Sequence, residues 1–572
     1  MKYISIKYLK EKLCFKILII FVIYYSIFFT FQSNSFGIDQ SDNEQLENVS
    51  KPKYIRLPIE GQIKTIDPSM SFDMGSIEIT EQLFLGLTNY EYKNSKYHVV
   101  PELAVKWSIF DNGKTYRFWL RKDVFWVKSI TGEKIRLVNA HDIVWAVHRN
   151  IDPKNDAPYA SALYILKNAR EINTGKNSNI SDIGVKAIDD FIIEFNLEYA
   201  ASYFPSMLAM GVFRPLPAMV IEKFGKKWTE PENIITNGSY ILYKWLKRRK
   251  IILKINTNYF NFNNYSIPEL RYLIVPENFA ALDMYLRNRL DIVGGDYSRF
   301  SPIAISRINN NPELDNEHFN ISRFSVYSYH FNTNRYPVDN LLVRKAITSA
   351  INRNLLIDIV TKGGEKPAST FTHPAFLGYE EGKKYYDEHF NPVEAKKYLS
   401  NAGFPDGKNF PELILSYDVS DSHTIIANSI KIMLEHYLKI NIRLDPQEWG
   451  KFIDIISQED KKNVPHLFRF GWASDYLDAN NFLNEALFHS RSFSGWDNKK
   501  YDNLLLNASL EKNNDMRLKL YQQAENIMTF EDISVVPIFF ETAHYLVKPW
   551  IRGWYPMPIG GQHIENWYFQ KK

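Results

Sequence analysis

The stretch Arg469-Phe-Gly-Trp-Ala-Ser-Asp-Tyr476 ends an apolar, aromatic run that starts at Pro465 and has the alternation of a β-strand. The run stops at Ser474-Asp475, and a polar loop follows. A carboxylate at the end of such a strand is costly to bury without a cationic partner. Two interpretations stay open on the residues alone: Asp475 caps an exposed loop, or it pairs with a cation.

Strand patterns alternate with helix patterns on both sides of this stretch. Leu413–Tyr417 and Ile440–Leu444 read as strands, whereas Leu341–Val360 and Ile425–Leu438 have helical spacing. The class is therefore mixed α/β. A chain of 572 residues should form more than one domain or lobe.

Residues 1–37 have the pattern of a signal peptide. A lysine-rich start precedes the apolar run from Ile17 to Phe31, and Ser35-Phe36-Gly37 offers small residues for cleavage. An uncleaved membrane anchor is the alternative. The segment holds five Lys and only one acidic residue, so it accounts for the chain's net charge of +4. The exported part is near neutral, which does not favour nucleic-acid binding.

Cysteine chemistry is confined to the signal segment. The one cysteine, Cys14, precedes the apolar run, so it cannot be the lipid-modified cysteine that follows such a run in lipoproteins. The exported part has no thiol for disulfides or for metal binding. We expect a periplasmic protein of a two-membrane bacterium, not a lipoprotein.

The sequence contains no recognisable catalytic motif. It has no nucleophile elbow, no zinc-protease helix and no phosphate-binding glycine loop. His141-Asp142 are adjacent on a predicted helix, where their side chains diverge, so they form a surface or capping pair. We expect neither an enzyme nor a cofactor nor a metal site, although a catalytic triad assembled from distant residues stays open.

Several blocks, in order over almost the whole exported chain, resemble the solute-binding proteins of bacterial ABC peptide importers, and among them the periplasmic oligopeptide-binding proteins. The blocks are Ile234-Ile-Thr-Asn-Gly-Ser-Tyr240 with Trp245 and Asn258-Tyr259, Tyr329-His-Phe-Asn-Thr-Asn334 with Val343-Arg-Lys-Ala-Ile347, Ala395-Lys-Lys-Tyr-Leu-Ser-Asn-Ala-Gly-Phe-Pro-Asp-Gly407, Gln447-Glu-Trp449, Gly471-Trp-Ala-Ser-Asp-Tyr476, Val536-Pro537 and Lys548-Pro-Trp550.

The resemblance implies a periplasmic-binding-protein-like fold, in which two lobes close about a hinge on the ligand and an additional domain is inserted. The implied first lobe combines residues 38–84, 219–324 and 543–572. Residues 85–218 would form the inserted domain, and residues 325–542 the second lobe.

The resemblance also implies how a peptide is held. Asp475 would bind its α-ammonium. Main-chain groups of Gly471, Trp472 and Ala473 would pair with it as an added strand, with residues 72–74 on its other side. In that segment Phe72 stands where relatives carry an acidic residue, and Met74 is larger than their usual valine.

Further ligand contacts are implied by residues that match positions of the family's motifs. Arg469 and His423 match positions that can meet the carboxylate of short peptides, which suits the fork of an arginine. Tyr159, Tyr285 and Trp449 match aromatic residues that line pockets. A structural ion pair is the alternative for Arg469, and an ordinary place in the core is the alternative for the three aromatics.

The resemblance implies a monomeric receptor that captures short peptides and hands them to an inner-membrane ABC permease. The same scaffold could instead bind a cell-wall peptide, a nickel chelate, haem or a sugar. A secreted hydrolase and a chaperone or adhesin are alternatives from other classes. An ionisable Asp475 favours a ligand that carries an amine.

Overall fold

The computed structural model of the chain describes residues 54–93, 96–275, 278–377, 390–486, 493–511, 513–557 and 559–570, and the predicted signal peptide lies outside these ranges. Strands and helices alternate along it, as the sequence predicts. The strands are β1 (Ile55–Ile59), β2 (Thr88–Lys93), β3 (Lys96–Pro101), β4 (Ala104–Phe110), β5 (Thr115–Leu120), β6 (Phe125–Lys128), β7 (Lys134–Leu137), β8 (Val185–Asp189), β9 (Ile192–Asn196), β10 (Ile235–Thr236), β11 (Tyr240–Leu246), β12 (Lys250–Ile255), β13 (Glu269–Ile274), β14 (Ile292–Gly294), β15 (His318–Phe331), β16 (Lys366–Pro367), β17 (Leu413–Asp418), β18 (Ile442–Gln447), β19 (Leu467–Arg469), β20 (Trp472–Ala473), β21 (Val535–Val547), β22 (Ile551–Arg552) and β23 (Tyr568–Phe569).

The helices are α1 (Met74–Leu83), α2 (Ala140–Ile151), α3 (Ala169–Asn173), α4 (Phe204–Met207), α5 (Ala218–Phe224), α6 (Asn278–Leu286), α7 (Pro302–Asn309), α8 (Leu341–Ala350), α9 (Arg353–Leu355), α10 (Pro392–Asn401), α11 (Asp421–Leu438), α12 (Trp449–Ile456), α13 (Lys499–Leu510) and α14 (Asn514–Asn526). In the part of the chain that is described, no helix has the length and apolarity needed to cross a membrane.

The first large sheet has the strand order β1-β13-β12-β11, with β1 parallel to β13 and the other pairs antiparallel. Ile55, Leu57, Leu253 and Leu270 come from its strands and are buried in one core. Their burial follows from the alternation of apolar residues, which places every second side chain on the same face.

The second large sheet has the order β14-β21-β15-β19-β17-β18, with β16 attached to β21 and β20 attached to β15. β17 runs parallel to both β18 and β19. Helices α8, α10 and α11 pack against one another, and their apolar faces share a core with this sheet. The carboxyl ends of its parallel strands therefore lie at one edge of the sheet, where ligands of α/β folds usually bind.

Two long antiparallel strands, β15 and β21, join two parts of this sheet. Residues 318–322 pair with 542–546, and residues 326–330 pair with 535–540, with a register shift between Ser322 and Val326. The shift falls at the predicted boundaries between the lobes, after residues 324 and 542. The chain's division into two lobes and an inserted domain, with these limits, stays a prediction.

A smaller antiparallel sheet, β4-β5-β9-β8, lies wholly within the predicted inserted domain. β6 and β7 belong to the same predicted domain and pair with each other, but β6 also pairs with β10, which lies beyond the domain's limit at residue 218.

The prediction of one helix over Leu341–Val360 is wrong. Ile351 is extended, with φ −90° and ψ 115°, and it ends α8 after Ala350. The side chain of Asn352 then accepts a hydrogen bond from the amide of Leu355 at 2.9 Å and starts a new helical segment. An asparagine that caps a helix start competes with helix continuation, which apolar spacing alone does not reveal.

The adjacent pair His141-Asp142 belongs to the start of α2. Asp142 is buried, its Oδ1 lies 2.5 Å from Nη2 of Arg136, and it completes a capping box with Asn139. The prediction of a surface or capping pair is confirmed, because Asp142 caps the helix and His141 is exposed. The ring of His141 lies 3.4 Å from Asp190.

Candidate functional site

The aromatic run from Leu467 to Ala473 forms two short strands, β19 and β20, in a single register. Tyr329 faces Arg469 in β19, and Val326 faces Trp472 in β20, so the pairing with β15 continues across the gap at residues 470–471. The main-chain amide of Phe470 donates to the carbonyl of Ser328 at 3.1 Å and maintains this register. The predicted strand is therefore present, with a local interruption at Gly471.

One edge of β20 is free of strand partners among the described residues. The amides of Phe470 and Ser474 donate to β15, at 3.1 and 2.8 Å. Because hydrogen-bonding groups alternate along an antiparallel strand, the amides of Gly471 and Ala473 face the opposite side. Ala473 is exposed, and Gly471 and Trp472 are half-buried. This edge can accept an extended chain as an additional strand.

Gly471 is required by a close approach of main chains. A Cβ atom at this position would lie 2.6 Å from the carbonyl oxygen of Val326. Any other residue would push β20 away from β15, which explains why a glycine interrupts the aromatic strand.

Asp475 follows β20 and is held by three hydrogen bonds. Its amide donates to Oδ1 of Asn481 at 3.0 Å, and Nδ2 of Asn481 donates to its Oδ2 at 3.4 Å. The hydroxyl of Tyr159 donates to its Oδ1 at 3.5 Å. Asn481 also accepts a hydrogen bond from Nε1 of Trp472 at 2.7 Å, so it links the strand to the carboxylate.

Within the described ranges, no Lys, Arg or His side chain forms an ion pair with Asp475. Burial raises the pKa of its carboxyl to about 6, although the hydrogen bonds from Asn481 and Tyr159 lower it in part. The nearby carboxylate in turn raises the pKa of the Tyr159 hydroxyl. Asp475 is therefore a half-buried carboxylate and not an exposed loop cap, and its pairing with a cation stays a prediction.

The loop after Asp475 lies against a distant part of the chain. Tyr476 stacks on Tyr203 with ring centroids 5.7 Å apart, and the amide of Leu477 donates to Oγ of Ser206 at 2.9 Å. Together with Tyr159, these contacts place Asp475 where the predicted inserted domain meets the predicted second lobe.

A second polar group centres on Asp418, the last residue of β17. Nη1 of Arg469 lies 3.3 Å from its Oδ1, and Nδ1 of His423 lies 3.3 Å from its Oδ2. All three side chains are largely buried. Burial raises the pKa of the Asp418 carboxyl, but the hydrogen bond from His423 and the charge of Arg469 outweigh it and hold the pKa below its usual range. Arg469 thus forms a structural ion pair, which is the alternative to a ligand contact that the sequence left open.

Glu541 adds a second negative charge near Arg469. Its Oε2 lies 2.5 Å from Nη1 of Arg323 and accepts a hydrogen bond from Oγ of Ser325 at 2.9 Å. Burial raises the pKa of Glu541, but Arg323, Arg299 and Arg469 outweigh burial and lower the pKa to about 2. The cationic side chains here are therefore balanced by carboxylates of the protein.

The remaining predicted residues lie outside these two groups. Trp449 begins α12, directly after β18, and is 54% exposed, so it lies at the carboxyl edge of the parallel strands. Phe72 is 50% exposed beneath the ammonium of Lys64, and the half-buried Met74 begins α1. The ligand roles of these residues stay predictions.

Tyr285 is fully buried in a separate core, and its hydroxyl donates to Glu317 at 2.5 Å. Lys548 lies over its ring, 3.9 Å from the centroid. Tyr285 is therefore a core aromatic, which is the alternative that the sequence left open. The structure does not bring Tyr285 together with Asp475.

Two residues of the site were missed from the sequence. Asn481 lies six positions after Asp475, with no motif to mark it, and it reaches the carboxylate only because the chain turns back. Asp418 follows the predicted strand Leu413–Tyr417 and precedes the capping Ser420 of α11. An acidic residue at the carboxyl end of a parallel strand was a usable signal.

A family model described as bacterial extracellular solute-binding proteins, family 5, matches residues 98–494. The periplasmic oligopeptide-binding protein OppA of Salmonella typhimurium is 29% identical over 521 residues, which are 89% of this chain and 91% of that protein. The periplasmic murein peptide-binding protein MppA of Escherichia coli is 29% identical over 87% of this chain and 89% of its own.

Solved structures show the same likeness. A periplasmic oligopeptide-binding protein of Borrelia burgdorferi superposes with a TM-score of 0.74 at 28% identity, covering 90% of this chain and 100% of that one. Haemophilus influenzae OppA, solved in complex with the peptide RPPGFSPFR, superposes with a TM-score of 0.72 at 26% identity, covering 92% of this chain and 100% of that one. The predicted two-lobe fold is confirmed by these structures.

The family model covers well over half of the chain, and the aligned relatives span nearly all of it. The chain therefore belongs to family 5 of the bacterial extracellular solute-binding proteins, the peptide-binding proteins of ABC importers.

Proposed function

We propose that this protein is a periplasmic receptor that binds short peptides between two closing lobes and delivers them to an ABC permease in the inner membrane. It acts as a monomer and catalyses no reaction. Recognition comes from Asp475 and from the free edge of β20. Closure of the lobes signals to the permease that a ligand is present.

One observation carries this proposal: Asp475 is a half-buried carboxylate whose pKa is raised by burial, and it has no cationic partner in the described part of the chain. An enclosed peptide supplies the missing charge through its α-ammonium. Leaving either charge buried and unpaired would cost about 3–5 kcal/mol, which is enough to make the pair decisive for binding.

The adjacent edge strand supports a peptide in particular. The outward amides and carbonyls of Gly471 and Ala473 can pair with the ligand's main chain, which recognises no side chain and so tolerates many sequences. From Arg469 to Asp475 an extended chain spans at most about 20 Å. The part of a ligand that runs antiparallel to β20 between Asp475 and Arg469 is therefore a few residues long.

Other ligands of this scaffold are less well supported. The relatives include a murein tripeptide-binding protein and a probable deoxycholate-binding protein, both of Escherichia coli. An unpaired carboxylate suits an amine, which a murein peptide can carry, and it disfavours an acid such as deoxycholate. Native mass spectrometry of protein purified from its own cells would give the mass of the bound ligand.

The proposal is tested by calorimetry on the mature protein with an alanine peptide and its N-acetylated form. Acetylation removes only the ammonium. We expect binding of the free peptide and loss of more than about a hundredfold in affinity on acetylation. Equal binding of both forms would contradict the role of Asp475. Uptake of labelled peptide by cells that lack the gene, with and without a restored copy, tests delivery.

A further inference from the structure

Asp418 occupies the position between the two side chains that the family resemblance assigns to a peptide's carboxyl terminus. Each of its carboxylate oxygens lies 3.3 Å from a nitrogen, one from Nη1 of Arg469 and one from Nδ1 of His423. The three side chains are about equally shielded, with exposed fractions of 15–17%. The protein has thus placed a carboxylate of its own where a ligand carboxylate would lie.

The tautomer of His423 follows from its contacts. Nδ1 lies 2.8 Å from the main-chain oxygen of Asp418 and 3.3 Å from its Oδ2. Both of these atoms are acceptors, so Nδ1 carries the proton, and in the neutral ring Nε2 has a lone pair. A neutral His423 therefore has no proton left to donate to a ligand carboxylate.

Arg469 is compensated from two directions. Asp418 pairs with Arg469 directly. The positive charge of Arg469 is also one of those that hold the pKa of Glu541 at about 2, so Glu541 stays ionised and is the second negative charge near Arg469. The Nε–H of Arg469 is buried and has no acceptor among the described residues. A ligand carboxylate near Arg469 would face the negative charge of Asp418, whereas a neutral main-chain unit would not.

We propose that Asp418 determines specificity by neutralising the carboxylate-binding position, so that the receptor does not select for a free C-terminal carboxylate. This inference rests on the proposed function. The ligand class is an extended peptide with a free amino terminus that presents a neutral main-chain unit to Arg469 and His423. Peptides whose chain continues past this point, and C-terminal amides, belong to this class.

The test compares alanine peptides of one length as the free acid and as the C-terminal amide, by calorimetry on the mature wild-type protein. We expect affinities within about threefold of each other, because the carboxylate meets no uncompensated cation. In Asp418→Asn the affinity for the free acid should rise by roughly tenfold relative to the amide, because the arginine regains a net attraction for it. Asp454→Asn, an exposed carboxylate on α12, is the matched control and should leave the ratio unchanged.

Two results would overturn the inference: a wild-type protein that prefers the free acid by about tenfold or more, or an Asp418→Asn variant with an unaltered ratio. The wild-type comparison decides even if the variant fails to fold. The N-acetylated peptide separates the two proposals, because its tight binding would contradict the role of Asp475 whatever the acid and amide show. Absence of any peptide binding would remove both proposals.

Discussion

Asn481 holds Asp475 at two points: its Oδ1 accepts from the Asp475 amide at 3.0 Å, and its Nδ2 donates to the Asp475 carboxylate at 3.4 Å. Asn481 is almost fully buried, at 1% exposure. One neutral side chain thus fixes both the main chain and the charge of the proposed ammonium site, without cancelling that charge.

Replacing this amide should weaken both the fold and peptide binding. Asn481→Ala leaves the Asp475 amide and Nε1 of Trp472 without their common acceptor, at a cost of about 1–3 kcal/mol in unfolding free energy. It also frees the carboxylate to leave its binding geometry, so we expect peptide affinity to fall by about tenfold. Urea unfolding and calorimetry measure the two effects. Unchanged affinity in a folded variant would show that Asn481 does not position Asp475.

Peptide binding should weaken on acidification. Only the ionised form of Asp475 attracts an ammonium, and its pKa is about 6 in the empty site. Affinity should therefore fall by about tenfold between pH 7 and pH 5. The pKa values of Asp418 and Glu541 lie below their usual ranges, so both stay ionised over this interval. Calorimetry across this pH range measures the effect, and a flat profile in the wild type would contradict it.

Tyr159 and Tyr285 should respond differently to loss of their hydroxyls. Tyr159→Phe removes a 3.5 Å hydrogen bond to Asp475, so the carboxyl pKa should rise further and peptide affinity should fall by about two- to fivefold. Tyr285→Phe removes the bond to Glu317 in a separate core and should change stability only. Equal effects of the two changes on affinity would contradict the placement of Tyr285 away from the site.

A methyl group should be tolerated at one glycine and not at another. Gly471→Ala puts a Cβ 2.6 Å from the carbonyl of Val326, so the unfolding free energy should fall by about 1–3 kcal/mol. In Gly450→Ala, in α12, the added Cβ has no atom within 4 Å, and the unfolding free energy should rise by about 0.4–1 kcal/mol. Denaturant unfolding tests both, and a neutral Gly471→Ala would show that β20 can move away from β15.

The fold was predictable from sequence to a large extent because its signals are local. Alternating apolar residues marked β17 and β18, and helical spacing marked α11. The helix over Leu341–Val360 was misjudged because Asn352 caps a new segment without disturbing the apolar spacing. The break is a side-chain hydrogen bond, which periodicity does not record.

The candidate site was predictable only in part, because its decisive contacts join distant residues. A strand ending in a carboxylate could be recognised, but whether Arg469 faces a ligand or the protein depends on Asp418, 51 positions away. Tyr159 and Tyr285 were equally plausible as aromatics, and only the fold separates a residue that touches Asp475 from one in another core.

The central claim is that Asp475 awaits the ammonium of a peptide, and the affinity of Asp475→Asn for an alanine peptide tests it most directly. Burial raises the folded-state pKa of Asp475 from 3.8 to about 6, so the ionised group destabilises the empty fold fully above that pH and not at all below about pH 4. The variant should therefore melt at least as high as the wild type at pH 7. Its calorimetric affinity should fall by more than about a hundredfold, since the ammonium loses its partner. Asp123→Asn, an exposed control, should bind normally. A folded Asp475→Asn variant with wild-type affinity would contradict the account.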